Sequence, residues 1–189
     1  MNDPPSTTGQ TASVAVVCAD HQDDVELDPD RWARLATDVL TELVGERNAD
    51  RRDELTLTFV DASVMADLNA EHLGHEGPTD VLSFPLDIAW GAPPAVDPPT
   101  DGARCTGSPL RMLGDVVICP AMAADQAPSH AGTLDDELAL LVVHGILHVL
   151  GHDHDDDEST MVMRAEERRL LIRHHWRGEC PVGFRQEHP

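Results

Sequence analysis

The pattern of apolar and polar positions divides the chain into a short series of elements. Val14 to Val17 is an apolar run of strand length, and Leu55, Leu57 and Phe59 alternate with Thr56 and Thr58 as in a half-buried strand. Between them, Asp28 before Pro29 has the form of a helix cap with proline at the first helical position. Trp32, Leu35, Val39, Leu40 and Leu43 follow at helical spacing, and the helix ends near Gly45. A second helix is predicted from about Ser63 to His72, carrying Val64, Met65 and Leu68 and closing at Leu73 and Gly74. The stretch GPTDVLSFPLD, Gly77 to Asp87, is a turn leading into a short strand that Pro85 stops, which suits a sheet edge or a strand end beside an opening. Residues 91–109 are rich in proline and glycine and have no apolar period, so a long flexible excursion between two strands is expected. Leu113 to Cys119 reads as a buried strand ending at Pro120.

A short helix over about 121–126 precedes the main one. Thr133, with Asp136 three residues on, opens a helix whose sequence LDDELALLVVHGILHVL is apolar nearly all round, so it must be central. The acidic run Asp153 to Glu158 leads into a last helix, from about Ser159 to Arg173, whose apolar face holds Met161, Val162, Ala165, Leu170 and Ile172. This order predicts an α+β domain: a small mixed sheet of about four strands packed with helices, the central helix lying across the sheet. Residues 1–12 are expected to be a disordered tail, 13–178 a single domain and 179–189 a C-terminal tail.

Charge narrows the partners. With a formal net charge of −22 and a pI near 4.5, the overall field does not favour nonspecific capture of nucleic acid, so any RNA must be met locally. Arg164, Arg168, Arg169, Arg173 and Arg177 form the concentrated basic patch of the sequence; they either pair with nearby acids on a solvated face or contact RNA. Cys18, Cys105, Cys119 and Cys180 make no CxxC pair and read as isolated thiols in a reducing cytosol. The amino terminus lacks a signal-peptide pattern, and the longest apolar run, Leu138 to Leu150, is too short to span a bilayer, so a soluble cytoplasmic protein is expected.

The chemistry is concentrated in HGILHVLGHDH, His144 to His154. His144 and His148 stand four apart, one above the other on a helix, and Gly151 allows a left-handed turn that swings His154 toward the same point. Three imidazole nitrogens suit zinc and leave a fourth position for water, the arrangement of a catalytic ion with metal-bound water as the reactive group. In helix-borne zinc proteases the residue after the first histidine is a glutamate base; here it is Gly145, which disfavours a conventional peptidase.

GPTDVLSFP, LGDVVICP and HGILHVLGHDH, in this order, closely resemble the motifs of the bacterial YbeY endoribonucleases, also called rRNA maturation factors, over roughly residues 50 to 170. The resemblance implies a single-strand-specific, metal-dependent endoribonuclease acting in 16S rRNA 3′ end maturation and in ribosome quality control. It implies one zinc ion per chain on His144, His148 and His154. Its partners would be single-stranded RNA, 16S rRNA and the ribosome or ribosomal proteins, with no membrane and no DNA. Three positions depart from the family pattern: His72 and Leu73 stand where it often has Tyr-Arg, and His152 stands where the metal loop more often has Tyr. Gly151 breaks the helix before His152, which favours His154 as the third ligand. Asp115 and Asp153 are candidates for orienting imidazole or water, and Thr79, Ser83 and Arg168 for contacting substrate. Both a hydroxide and a ribose 2′-hydroxyl attack are compatible with such a site.

Overall fold

The computed structural model describes residues 13–44, 52–86, 110–154 and 156–186. In chain order these form β1 (Ser13–His21), α1 (Pro29–Val44), β2 (Arg52–Val60), α2 (Ala62–Leu73), β3 (Val81–Pro85), β4 (Leu110–Ile118), α3 (Pro120–Gln126), α4 (Leu134–Val149) and α5 (Asp157–Leu170). A π-helical turn, Leu171–His175, continues α5. The architecture is the expected α+β, with one mixed sheet in the order β1-β2-β4-β3. β1, β2 and β4 run parallel, and β3 is antiparallel to β4. The strand that Pro85 stops is thus an edge strand, where a residue without a backbone donor costs nothing to the ladder. The tail 1–12, the excursion 91–109, Cys105 and the helix end at Gly45 lie outside the described residues.

Side chains alternate across the sheet with the period of two that strands impose. Leu55, Leu57 and Phe59 of β2 and Val116 and Ile118 of β4 enter the main core with α1 and α4. Val117 and Leu82 instead pack with Met65 of α2 in a smaller cluster. Helix α4 is apolar all round because it is enclosed all round, by β3 and β4, by α1 and α3, and by α5. Thirteen of its sixteen residues are buried.

Both ends of α4 are held. At its start Thr133 Oγ1 accepts from the Asp136 amide at 3.1 Å and donates to the Asp136 carboxylate at 2.7 Å. The other oxygen of Asp136 accepts from Trp176 Nε1 at 2.6 Å and bonds His175 Nε2 at 2.9 Å, which ties the π-helical turn to the base of the central helix.

The last helix differs from expectation. Met161, Val162, Ala165 and Ile172 are exposed, and the buried stripe is Met163, Glu167, Leu170 and Leu171. Two causes combine: the stripe has an acid in its middle, which an apolar template passes over, and the π turn shifts the phase beyond Leu170. The segment beyond residue 178, expected to be a tail, is seated on the domain as far as Gln186. Phe184 meets Trp176 edge-on at 4.7 Å between ring centroids, and the Arg185 amide donates to His130 O at 3.1 Å.

Part of the basic patch is structural. Glu42 on α1 receives Arg169, Arg173 at 3.1 Å and His174 at 2.5 Å, and Arg169 also pairs with Glu166. Burial pushes the Glu42 carboxyl up. Hydrogen bonds from Arg169 and His174 and the charges of Arg169 and Arg173 outweigh that and hold it below the ordinary carboxylate value. A lowered folded-state pKa stabilises at all pH above the unfolded value, and the gain is lost as pH falls through the folded value. Chemical denaturation should therefore find Glu42→Gln less stable than the wild type by about 1 kcal/mol near neutral pH, with the difference closing in acid. A difference that persists undiminished at acid pH would show that the clasp is not ionic.

Candidate metal centre

His144 and His148 project from successive turns of α4 with their Nε2 atoms 3.1 Å apart and ring centroids 4.5 Å apart. The helix then closes in a Schellman turn. Gly151 has φ +86°, its amide donates to His148 O at 2.9 Å, and the His152 amide donates to Leu147 O at 2.9 Å. A residue with a side chain resists that backbone conformation, so the glycine sets the direction in which the chain leaves. Three residues later the His154 ring stands 4.9 Å from that of His148 and 5.6 Å from that of His144. One donor atom from each of the three lies within 4.8 Å of the others, and among the described residues no fourth His, Cys, Asp or Glu joins the group.

The loop bearing His154 is fixed from both sides. Asp153 accepts from the His154 amide at 2.7 Å, and Thr160 Oγ1, in the first turn of α5, makes contacts of 3.1 Å to His154 O and 2.8 Å to Asp156 O. Asp156 caps α5 in a reciprocal capping box with Ser159. His154 itself is exposed, so the group opens toward solvent.

The electrostatics suit a neutral imidazole donor set. Burial, and then the neighbouring His144 and His154, push the His148 pKa down to about 4, against weaker opposing pulls from Asp153 and Glu167. His144 Nδ1 lies 2.7 Å from Oε1 of Glu167, and this glutamate is buried. A carboxylate only accepts, so this contact favours the tautomer protonated at Nδ1, which leaves Nε2, on the side of His148, as the atom that can donate to a metal. Three nitrogens of this kind, one backed by a buried carboxylate, fit zinc better than calcium or magnesium, which take oxygen ligands.

The carboxylate in contact with His144 is that of Glu167, and not that of Asp115 or Asp153, the candidates for orienting imidazole or water. Asp115 lies in β4 opposite Thr56 and Phe84, and Asp153 uses an oxygen on the amide of His154. A signal for Glu167 was present in the sequence: an acid at helical spacing between Met163 and Leu170, on the stripe that proves to be buried. Ser83 lines the cleft beside the histidines, with its hydroxyl 3.3 Å from Gly145 O as donor. Thr79 and Arg168 are not among the lining residues, Thr79 being turned to Asp80 at 3.1 Å.

That cleft has a volume of about 580 Å³. His72, Leu73 and Phe84 supply one part of its lining and His152 and Asp153 another, with His144 and His148 among them; among the described residues no arginine lines it. His72 meets Phe84 edge-on at 4.8 Å.

Gly145 explains the missing base in steric terms. A Cβ there would lie 2.5 Å from Val116 Cγ1 and 3.3 Å from Ser83 Oγ, so this face of α4 is pressed onto the sheet. A glutamate has no room at this position. Gly145→Ala should destabilise the fold by about 1–3 kcal/mol in urea unfolding, although alanine is the better helix former; an unchanged or raised stability would show the contact to be soft.

Comparison with known proteins bears on the family and the fold. The family model described as Endoribonuclease YbeY matches residues 17–175. The chain is 43% identical over 130 residues to a Nocardia farcinica protein named Endoribonuclease YbeY, covering 68% of this chain and 66% of that one, just under two thirds of the relative's length. It is 38% identical over 146 residues to the Mycobacterium ulcerans protein of the same name, covering 77% of this chain and 76% of the other. The solution structure of TM1509 from Thermotoga maritima shares the fold, with a TM-score of 0.53 and 22% identity over 86% of this chain and 91% of that one. A matching family model over most of the chain, joined to motifs that converge in space, places this protein in the YbeY endoribonuclease family.

Proposed function

We propose that this chain is a zinc-dependent endoribonuclease that cuts single-stranded RNA, acting in 16S rRNA 3′ end maturation and ribosome quality control in the cytoplasm, with the ribosome or its proteins as partner. The observation that carries this reading is the convergence of His144, His148 and His154 beside a cleft, with Glu167 behind the first of them. A relative's name supplies the reaction class; the donor set supplies a reason this chain could perform it. Bound there, zinc would supply Lewis acidity to a water or a phosphoryl oxygen.

The chain's own groups divide the remaining work. Burial holds His148 as a neutral donor, and the contact of Glu167 with Nδ1 of His144 orients that ring. Asp153 lines the cleft close to His148 and has a carboxylate oxygen available to orient water or take a proton. The His72 and Phe84 pair offers a surface on which an unpaired base can stack, whereas a base inside a duplex cannot reach it. Three protein donors rather than four among the described residues favour catalysis over a purely structural ion in an assembly adaptor. No helix of the described residues is long and apolar enough to cross a membrane.

Purified protein should bind about one zinc ion per chain and cleave single-stranded RNA, and His148→Ala should lose both properties by metal analysis and gel assay. Cleavage retained by a metal-free His148→Ala protein would refute the assignment. Since no described arginine lines the cleft, affinity for free RNA should fall only weakly with salt, with a log–log slope no steeper than about −1.5, equivalent to roughly two phosphates. A slope of about −4 or beyond would reveal an extended phosphate track and contradict recognition through the metal centre and the stacking surface.

A further inference from the structure

The C-terminal segment reaches the metal centre through one side chain. Glu167 is 1% exposed, and its two oxygens have different partners: Oε1 meets His144 Nδ1 at 2.7 Å, and Oε2 accepts from Gln186 Nε2 at 3.0 Å. The same amide nitrogen donates to Arg164 O at 2.9 Å, one turn earlier on α5, so Gln186 bridges the helix backbone and the buried carboxylate. Its approach is fixed by the Phe184 ring packed on Trp176 and by the bond from the Arg185 amide to His130 O. Trp176 in turn is anchored to Asp136 at the start of α4, so the segment is referenced to the helix that carries His144.

We infer that Gln186 is a positioning residue of the metal centre, acting through Glu167 to hold His144 in the tautomer and orientation that present Nε2 to zinc. This rests on the proposed metal reading. The physical reason lies in the carboxylate. Its terminal torsion is broad, so a single bond to His144 would leave its plane poorly defined, and a buried oxygen without a partner carries a desolvation cost. An amide donor on the second oxygen removes both problems without adding a charge. Gln186 suits this role because its –NH₂ group has two donors, one for the carboxylate and one for Arg164 O. A glutamate at position 186 would instead place two carboxylates against each other.

The inference is tested on the full chain with Zn²⁺ as the probe, by competition against a chromophoric chelator. Outer partners of metal ligands typically contribute 10- to 100-fold in affinity. Gln186→Ala, one step further out, should weaken zinc binding by about tenfold, and Gln186→Glu by more. Phe184→Ala, which loosens the segment without touching Glu167, should weaken it in the same direction. Long-range ¹H–¹⁵N spectra of the metal-free protein should show His144 protonated at Nδ1 in the wild type and a mixture of tautomers in Gln186→Ala, a change that a purely structural role would not produce. Should Gln186→Ala fail to fold, Gln186→Asn, which keeps the amide but is one methylene short, serves in its place. Wild-type affinity and an unchanged His144 tautomer in the folded variant would overturn the role of Gln186 while leaving the metal centre intact. A wild-type protein that binds no zinc would overturn both.

Discussion

Everything in the site depends on a reversal of the chain within two residues. Helix α4 presents His144 and His148 on its last two turns, but a helix continuing past Leu150 would carry any third ligand away along its axis. The left-handed Gly151 stops that, and the two Schellman bonds from Gly151 and His152 satisfy the carbonyls of His148 and Leu147 that the helix leaves open. His154 then returns over the pair. The turn works because α4 itself cannot move: it is enclosed on every side, pressed onto Val116 at Gly145 and tied to the C-terminal region at Asp136. A clamped loop carries one of the three histidines, a rigid helix carries two, and α5 supplies both the clamp for the loop and the carboxylate behind the helix.

The distribution of charge follows a related logic. In a chain with net charge −22, several of the few arginines are engaged within the protein: Arg111 with Asp53 at 2.6 Å, Arg31 with Asp135, and Arg169 and Arg173 with Glu42. The cleft is lined instead by imidazoles, an aromatic ring and apolar side chains, with Ser83 and Asp153 as its other polar groups. Such a surface suits recognition by stacking and by the ion rather than by a long basic groove, and so accommodates RNA without an overall positive field.

Local chemistry was legible in the sequence where the relevant partners are neighbours in the chain. The Thr133 to Asp136 cap, the spacing of His144 and His148, and the glycine that turns His154 inward all act over a few residues, and each has a direct backbone reason. Pro85 likewise pointed to a sheet edge or a strand end beside an opening, and β3 is an edge strand. Interactions closing over long sequence separations were not legible. Glu167 is 23 residues from His144, Gln186 a further 19 from Glu167, and neither stands in a motif. The apolar template for α5 failed for the same reason: its buried stripe meets His144 as well as the core, so a carboxylate occupies a place where hydrophobicity alone predicts an aliphatic side chain. Asp115, within a motif, is instead a strand residue in register with Thr56 and Phe84.

The central claim is that three imidazoles grip one ion and leave solvent a place in its shell. X-ray absorption at the zinc edge of the loaded protein tests it most directly. The account predicts about four light ligands at roughly 2.0–2.1 Å, with the multiple-scattering signature of three imidazoles and the remaining position exchangeable by an added anion. A sulfur shell near 2.3 Å, or a complete shell of four protein ligands that no anion perturbs, would contradict it.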